Sequence, residues 1–149
     1  MTRLKTDQKM AALPARAAAP KLEIHPLTPA RWRDLEALFG ERGACGGCWC
    51  MYWRLTRAEY EHKKGTGNKK AFKRIVDSGR PPGLLAFTDG KPVAWCAIGP
   101  RENYPTLERS RVLARIDDEP AWSVTCFFVA RPFRRQGITD AKAAGVFQE

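Results

Sequence analysis

The chain has 149 residues, 44% of them hydrophobic and 28% charged, which suits one globular domain with its own core and excludes a wholly disordered chain. No stretch is apolar for long enough to span a bilayer. Against 16 acidic residues stand 26 basic ones, and the formal charge of +10 favours an anionic partner without naming it.

Residues 1–20 mix Arg3, Lys5, Lys9 and Arg16 with alanine and proline. They lack the continuous apolar run of a secretory signal and read as a disordered basic tail ahead of one domain over residues 21–149. The five cysteines, an odd number, point to reduced thiols and a cytoplasmic protein.

Residues 22–27 alternate apolar and polar, as a half-buried strand does. Thr28 offers an N-cap hydroxyl, and Pro29 suits a first helical position. Trp32, Leu35, Leu38 and Phe39 then recur at helical spacing until Gly40 or Gly43 stops the run. Next comes Cys45-Gly46-Gly47-Cys48-Trp49-Cys50-Met51-Tyr52-Trp53. On a strand Cys48 and Cys50 share a face, and Cys45, Cys96, Cys126 or His62 offers further zinc ligands. No second closely spaced ligand pair accompanies them and aromatics interleave, so the expectation is small buried thiols and no metal.

Residues 56–78 read as helical, interrupted near Gly65-Thr66-Gly67, with Ala71, Phe72, Ile75 and Val76 as the apolar stripe. Residues 57–80 hold eight basic side chains against Glu59, Glu61 and Asp77. They read as a solvated helical face; the alternatives are a nucleic-acid contact or attraction for nucleotide phosphates. No recognised nucleic-acid fold signature accompanies them, so nucleic acid is not the expected partner. Residues 65–70 lack the Gly-Lys-Ser/Thr ending and the leading strand of a phosphate loop. His25 and His62 read as structural or solvated.

Residues 83–99 form a predicted hairpin about Asp89-Gly90. A polar connection over 100–120, with a short helix around 107–112, leads to residues 122–129, a near-continuous apolar strand of the kind buried on both faces. A short basic turn with one glycine follows, and a helix is expected from Gly137. Unpaired N–H groups at a helix start, Gly137 and the charges of Arg134 and Arg135 suit a pyrophosphate.

Arg134-x-x-Gly137-x-Thr139 resembles the Arg/Gln-x-x-Gly-x-Gly/Ala signature of the GNAT N-acetyltransferases, with Thr139 as the departure. The order of elements agrees. So do the runs Phe39-Gly40-Glu41-Arg42-Gly43, Arg80-Pro81-Pro82-Gly83-Leu84-Leu85-Ala86, Pro92-Val93-Ala94-Trp95-Cys96-Ala97 and Trp122-Ser123-Val124-Thr125-Cys126-Phe127-Phe128-Val129, which are similar to one bacterial branch. The resemblance spans residues 22–139. It implies an α/β (α+β) fold, a mixed and largely antiparallel sheet flanked by helices, and transfer of an acetyl group from acetyl-CoA to an amine. It implies that Phe127, Phe128 and Val129 hold the pantetheine arm through their backbone. Arg134, Arg135, Gln136, Gly137, Ile138 and Thr139 would then cradle the pyrophosphate. The amine must lose its proton, and Glu102 is the candidate base, with an exposed loop carboxylate as the alternative reading.

The resemblance fades at Asp140, where family members continue with paired leucines and this chain carries Lys142 and Gly145. The expectation is the N-terminal part of a GNAT fold with its later strands missing, possessing little or no activity. An uncovered edge at residues 122–129 would then invite self-association. The other readings are a non-catalytic acyl-CoA-binding remnant and a basic nucleic-acid-binding module.

Overall fold

A four-residue strand, β1 (Glu23–Pro26), is the first described element, and Pro29–Arg31 forms a 3-10 turn that leads straight into helix α1 (Trp32–Phe39). The computed structural model describes residues 21–139; the expected basic tail and nearly all of the expected last helix lie outside the described residues. The Thr28 hydroxyl makes no capping bond, contrary to expectation, because the turn is entered through backbone bonding of Arg31 N–H to the Thr28 carbonyl at 2.9 Å.

The cysteine-rich segment is a chain of turns rather than a strand. Gly43, Ala44, Gly46, Gly47, Trp49 and Cys50 all take positive φ, which no β-strand tolerates. Helix α2 (Arg57–Lys63) begins with a complete capping box between Thr56 and Glu59. Gly65, at φ 82°, separates it from α3 (Thr66–Asp77), at the break the glycines predict.

β2 (Gly83–Thr88) and β3 (Lys91–Pro100) form the expected hairpin. Asp89 and Gly90, at φ 47° and 72°, supply the two left-handed residues that match the twist of a tight hairpin. The predicted helix around 107–112 is instead the single turn α4 (Pro105–Glu108), begun by proline at its first position. β4 (Trp122–Val129) has the predicted bounds. Among the described residues the sheet is an antiparallel meander in the order β1-β2-β3-β4.

One face of the sheet is covered by α1 and α3. Trp95 lies fully buried at its centre, with Phe72 at 6.0 Å and Phe39 at 6.3 Å between ring centroids, both edge-on. Burying such rings contributes on the order of 2–3 kcal/mol each, so this face carries most of the stability. The strand buried through most of its length is β3. Among the described residues β4 is an edge strand, and Trp122, Val124 and Phe127 are 70%, 45% and 44% exposed. This corrects the expectation of a strand buried on both faces. The register explains it: Trp122, Val124 and Phe127 oppose Pro100, Ile98 and Cys96, on the face away from Trp95.

Candidate functional site

The antiparallel ladder decides which groups of β4 are available. The Ala130 N–H donates to the Val93 carbonyl at 2.9 Å. By the two-residue alternation of an antiparallel pair, the backbone groups of Phe128 and Cys126 also face β3, and those of Phe127 and Val129 face the free edge. Phe128 contributes its ring, which packs edge-on against Phe39 at 5.5 Å. The ladder skips one residue where Ala97 pairs with Cys126 and Ile98 with Val124, so Thr125 is the extra residue of a bulge. Its backbone groups are displaced from regular pairing.

Beyond β4 the chain makes a 3-10 turn (Arg131–Phe133) and then the basic loop. Arg135 and Gly137 take left-handed φ of 63° and 74°. Backbone that alternates in this way turns successive N–H groups into one concavity, a nest for an anion. Helix begins at Ile138, so the N–H groups of Ile138 and Thr139 belong to a first helical turn, which leaves them without an intrahelical acceptor. Ile138 fixes the loop by burial on the sheet's second face with Ala86, Val93 and Ala94, supported by Val129 and Phe133. The result is a cleft of about 400 Å³ lined by Val129, Phe133, Arg134, Arg135, Gly137, Ile138 and Thr139.

The two polar side chains that begin and centre the loop are tied inward. Arg134 Nε donates to the Val129 carbonyl at 2.9 Å, and Gln136 Nε2 to the Pro132 carbonyl at 3.0 Å. Arg135 is exposed and makes no ion pair among the described residues. The structure thus brings Arg134, Arg135, Gly137, Ile138 and Thr139 together around one cleft.

Glu102 lies beyond the other end of β4. It follows β3 in a 3-10 turn (Arg101–Asn103), which the Arg101 N–H holds against the Ala121 carbonyl at 2.9 Å. Its carboxylate accepts from Arg115 Nη2 at 2.6 Å. Its own backbone N–H and the Arg115 guanidinium hold its pKa below the usual glutamate range. The cleft and Glu102 thus sit at opposite ends of one strand, about 24 Å apart for seven steps of antiparallel chain.

The cysteines do not gather into a metal centre. Among the described residues, no group of three or more His, Cys, Asp and Glu side chains comes together as a metal site. Cys50 instead meets Cys126 of β4 and receives the Trp95 indole N–H at 3.0 Å. The bond with Cys126 and burial push its thiol pKa well up. Sequence spacing could not reveal this contact, which joins turns and strand 76 positions apart. On the basic helical face, Lys64 pairs with Glu61, Lys69 with Glu36 and Lys73 with Asp77. Lys69 and Lys73 also lie over the rings of Trp49 and Trp32.

An antiparallel meander sheet with helices on one face and a basic turn after its last described strand defines an α/β (α+β) fold. The comparisons with solved structures agree: the chain has the fold of the GNAT N-acetyltransferases. It is similar to an aminoglycoside N-acetyltransferase, AAC(6')-Iy in complex with CoA, at 14% identity and a TM-score of 0.53, over 87% of this chain and 69% of that one. It is also similar to a GNAT-family acetyltransferase from Streptococcus agalactiae, at 14% identity and a TM-score of 0.52, over 85% of this chain and 69% of that one. No family model matches the chain, and no curated protein is significantly similar to it in sequence. Among the described residues, no helix is long and apolar enough to cross a membrane.

Proposed function

We propose that the chain is an acetyl-CoA-dependent N-acetyltransferase acting on an amine. The observation that carries this reading is the loop itself: left-handed turns at Arg135 and Gly137 ahead of a helix start at Ile138, and a strand edge unpaired among the described residues leading away from it. The residues fit a pyrophosphate, since the helix start offers N–H donors and the bordering charges of Arg134 and Arg135 are positive. A neighbour of the same fold holds CoA, in keeping with this assignment.

Bound there, acetyl-CoA supplies an acyl thioester for attack by the amine. The outward N–H and carbonyl of Phe127 and the N–H of Val129, whose carbonyl Arg134 already holds, bind the amide-bearing arm in the manner of an added strand. The displaced N–H of Thr125 at the bulge donates to the thioester oxygen and stabilises the negative charge that develops on it. Glu102, near the start of β4, takes a proton from the substrate ammonium, directly or through water, and the free amine then attacks the thioester carbon; as the C–S bond breaks, CoA leaves as the thiolate and takes up the proton that the new amide nitrogen loses. The same free edge, flanked by exposed Trp122, Val124 and Phe127, offers a second copy a strand to pair with, in competition with the pantetheine arm.

The test is thiol release from acetyl-CoA over a broad amine panel, with calorimetric titration of CoA alongside. Turnover with saturable CoA binding is expected. Absence of CoA binding sinks the reading, and binding without turnover on any amine reduces it to an acyl-CoA-binding protein.

A further inference from the structure

A second cavity, about 450 Å³, opens where the C-terminal half of α3 meets the turns before β2 and after β3. Its lining holds Arg54, Arg74 and Arg80 and no carboxylate. Among the described residues none of the three forms an ion pair, whereas Arg31, Arg101 and Arg115 each do. Arg54 is the anchor. Its guanidinium lies 4.6 Å from the centre of the buried Tyr104 ring, and Nη1 donates to the Asn103 carbonyl at 3.2 Å. Its Nε is buried and meets no acceptor among the described residues. The part-buried Arg54 guanidinium faces no carboxylate among the described residues, so an anion in the cavity would offset the cost of burying its charge. Burial accordingly pulls its pKa down.

The rest of the lining describes the ligand's other end. Leu55 and Ile75 provide an apolar wall, and Pro82 and Pro105 stiffen the rim. Asn103, also in the lining, directly follows Glu102 in the chain. An anion held by the arginines therefore brings its molecule to the neighbourhood of the proposed base. We propose that this pocket binds the carboxylate of the acceptor, which makes the acceptor a small amine carrying a carboxylate and an apolar body, as an apolar amino acid does. The assignment to the acceptor rests on the acyl-transfer reading; the preference of the pocket for a carboxylate does not.

The experiment titrates the full chain, without coenzyme, with leucine, methionine and phenylalanine, each beside the amine that lacks its carboxylate. At least one pair is expected to show the carboxylate-bearing member binding ten or more times tighter. Arg74→Met and Arg80→Met, both at exposed positions, are expected to abolish that preference while calorimetric CoA binding stays unchanged. Equal binding within every pair, or a preference that survives both substitutions, overturns the proposal. A carboxylate preference in a chain that fails to bind CoA leaves the pocket standing and removes the acyl-transfer reading instead.

Discussion

Arg134 Nε donates to the Val129 carbonyl at 2.9 Å, so the first residue of the loop takes the last outward-facing acceptor of β4. One bond fixes both the end of the strand and the direction of the guanidinium, whose remaining donors are left for an anion at the cleft. Arg134→Met is expected to weaken CoA binding by about tenfold, about 1.4 kcal/mol. Pantetheine, which lacks the pyrophosphate, should lose little. Calorimetry on both ligands checks this, and an equal loss for both would mean that Arg134 only props the strand.

The Gly47 carbonyl accepts from Gly65 N–H at 3.0 Å and from the buried Asn68 Nδ2 at 3.1 Å, tying the cysteine-rich turns to the start of α3. A Cβ at Gly47 would stand 2.6 Å from the Gly65 nitrogen, and φ there is +78°. Gly47→Ala is expected to destabilise the fold by more than about 2 kcal/mol, from the left-handed penalty and the clash with backbone. Asn68→Ala should cost about 1–3 kcal/mol by deleting a buried bond. Urea unfolding measures both; a Gly47→Ala midpoint equal to that of the parent chain contradicts the geometry.

Thr56 and Glu59 cap α2 reciprocally, and the Thr56 hydroxyl and backbone N–H hold the Glu59 pKa below its usual range. A carboxylate with a folded pKa below its unfolded one adds stability that is complete above about pH 4.3 and disappears as pH falls through the folded value. Glu36, lowered chiefly by its bond to Lys69, has the same sign. Glu59→Gln should therefore flatten the loss of stability between neutral and acid pH. Thr56→Ala should cost about 1 kcal/mol at neutral pH. Chemical denaturation at pH 7 and pH 4 separates the two effects.

The elements legible in the sequence are those whose signals are local. Asp89-Gly90 announces its hairpin because positive φ is rare for other residues, and the apolar stripe of α3 announces a helix. The proposed phosphate loop is a local signal too, since Arg134 to Thr139 is one short run whose backbone turns at its own glycine. The cysteine turns are not, because Cys48-Trp49-Cys50 has the period of a strand while its left-handed backbone is fixed by packing of Trp49 against Trp32 and Phe39. Nor is the exposure of β4, where apolar Trp122, Val124 and Phe127 occupy the open face. The arginine pocket is assembled from positions 54, 74, 80 and 103, which no spacing rule connects.

Glu102 and Arg115 form the ion pair that decides how the proposed base behaves. Besides the Glu102 backbone N–H, the Arg115 guanidinium favours the ionised carboxylate, at 2.6 Å. A base with a lowered pKa is ionised at every ordinary pH but is a weaker proton acceptor, so this pairing extends the active range toward acid and limits the rate. Glu102→Gln is expected to lower kcat/KM by roughly 10²–10⁴, the usual loss for a positioned base, without weakening CoA binding. Arg115→Met removes one of the influences that depress the pKa, leaving the backbone N–H and the charge of Arg101. The acid limb of the pH–rate profile should then move to higher pH, because the carboxylate protonates earlier as pH falls. If Glu102→Gln leaves the profile and rate unchanged, the proton leaves by another route. A rate loss in Arg115→Met with no movement of the limb would mark Arg115 as support for the loop rather than a tuner of the base.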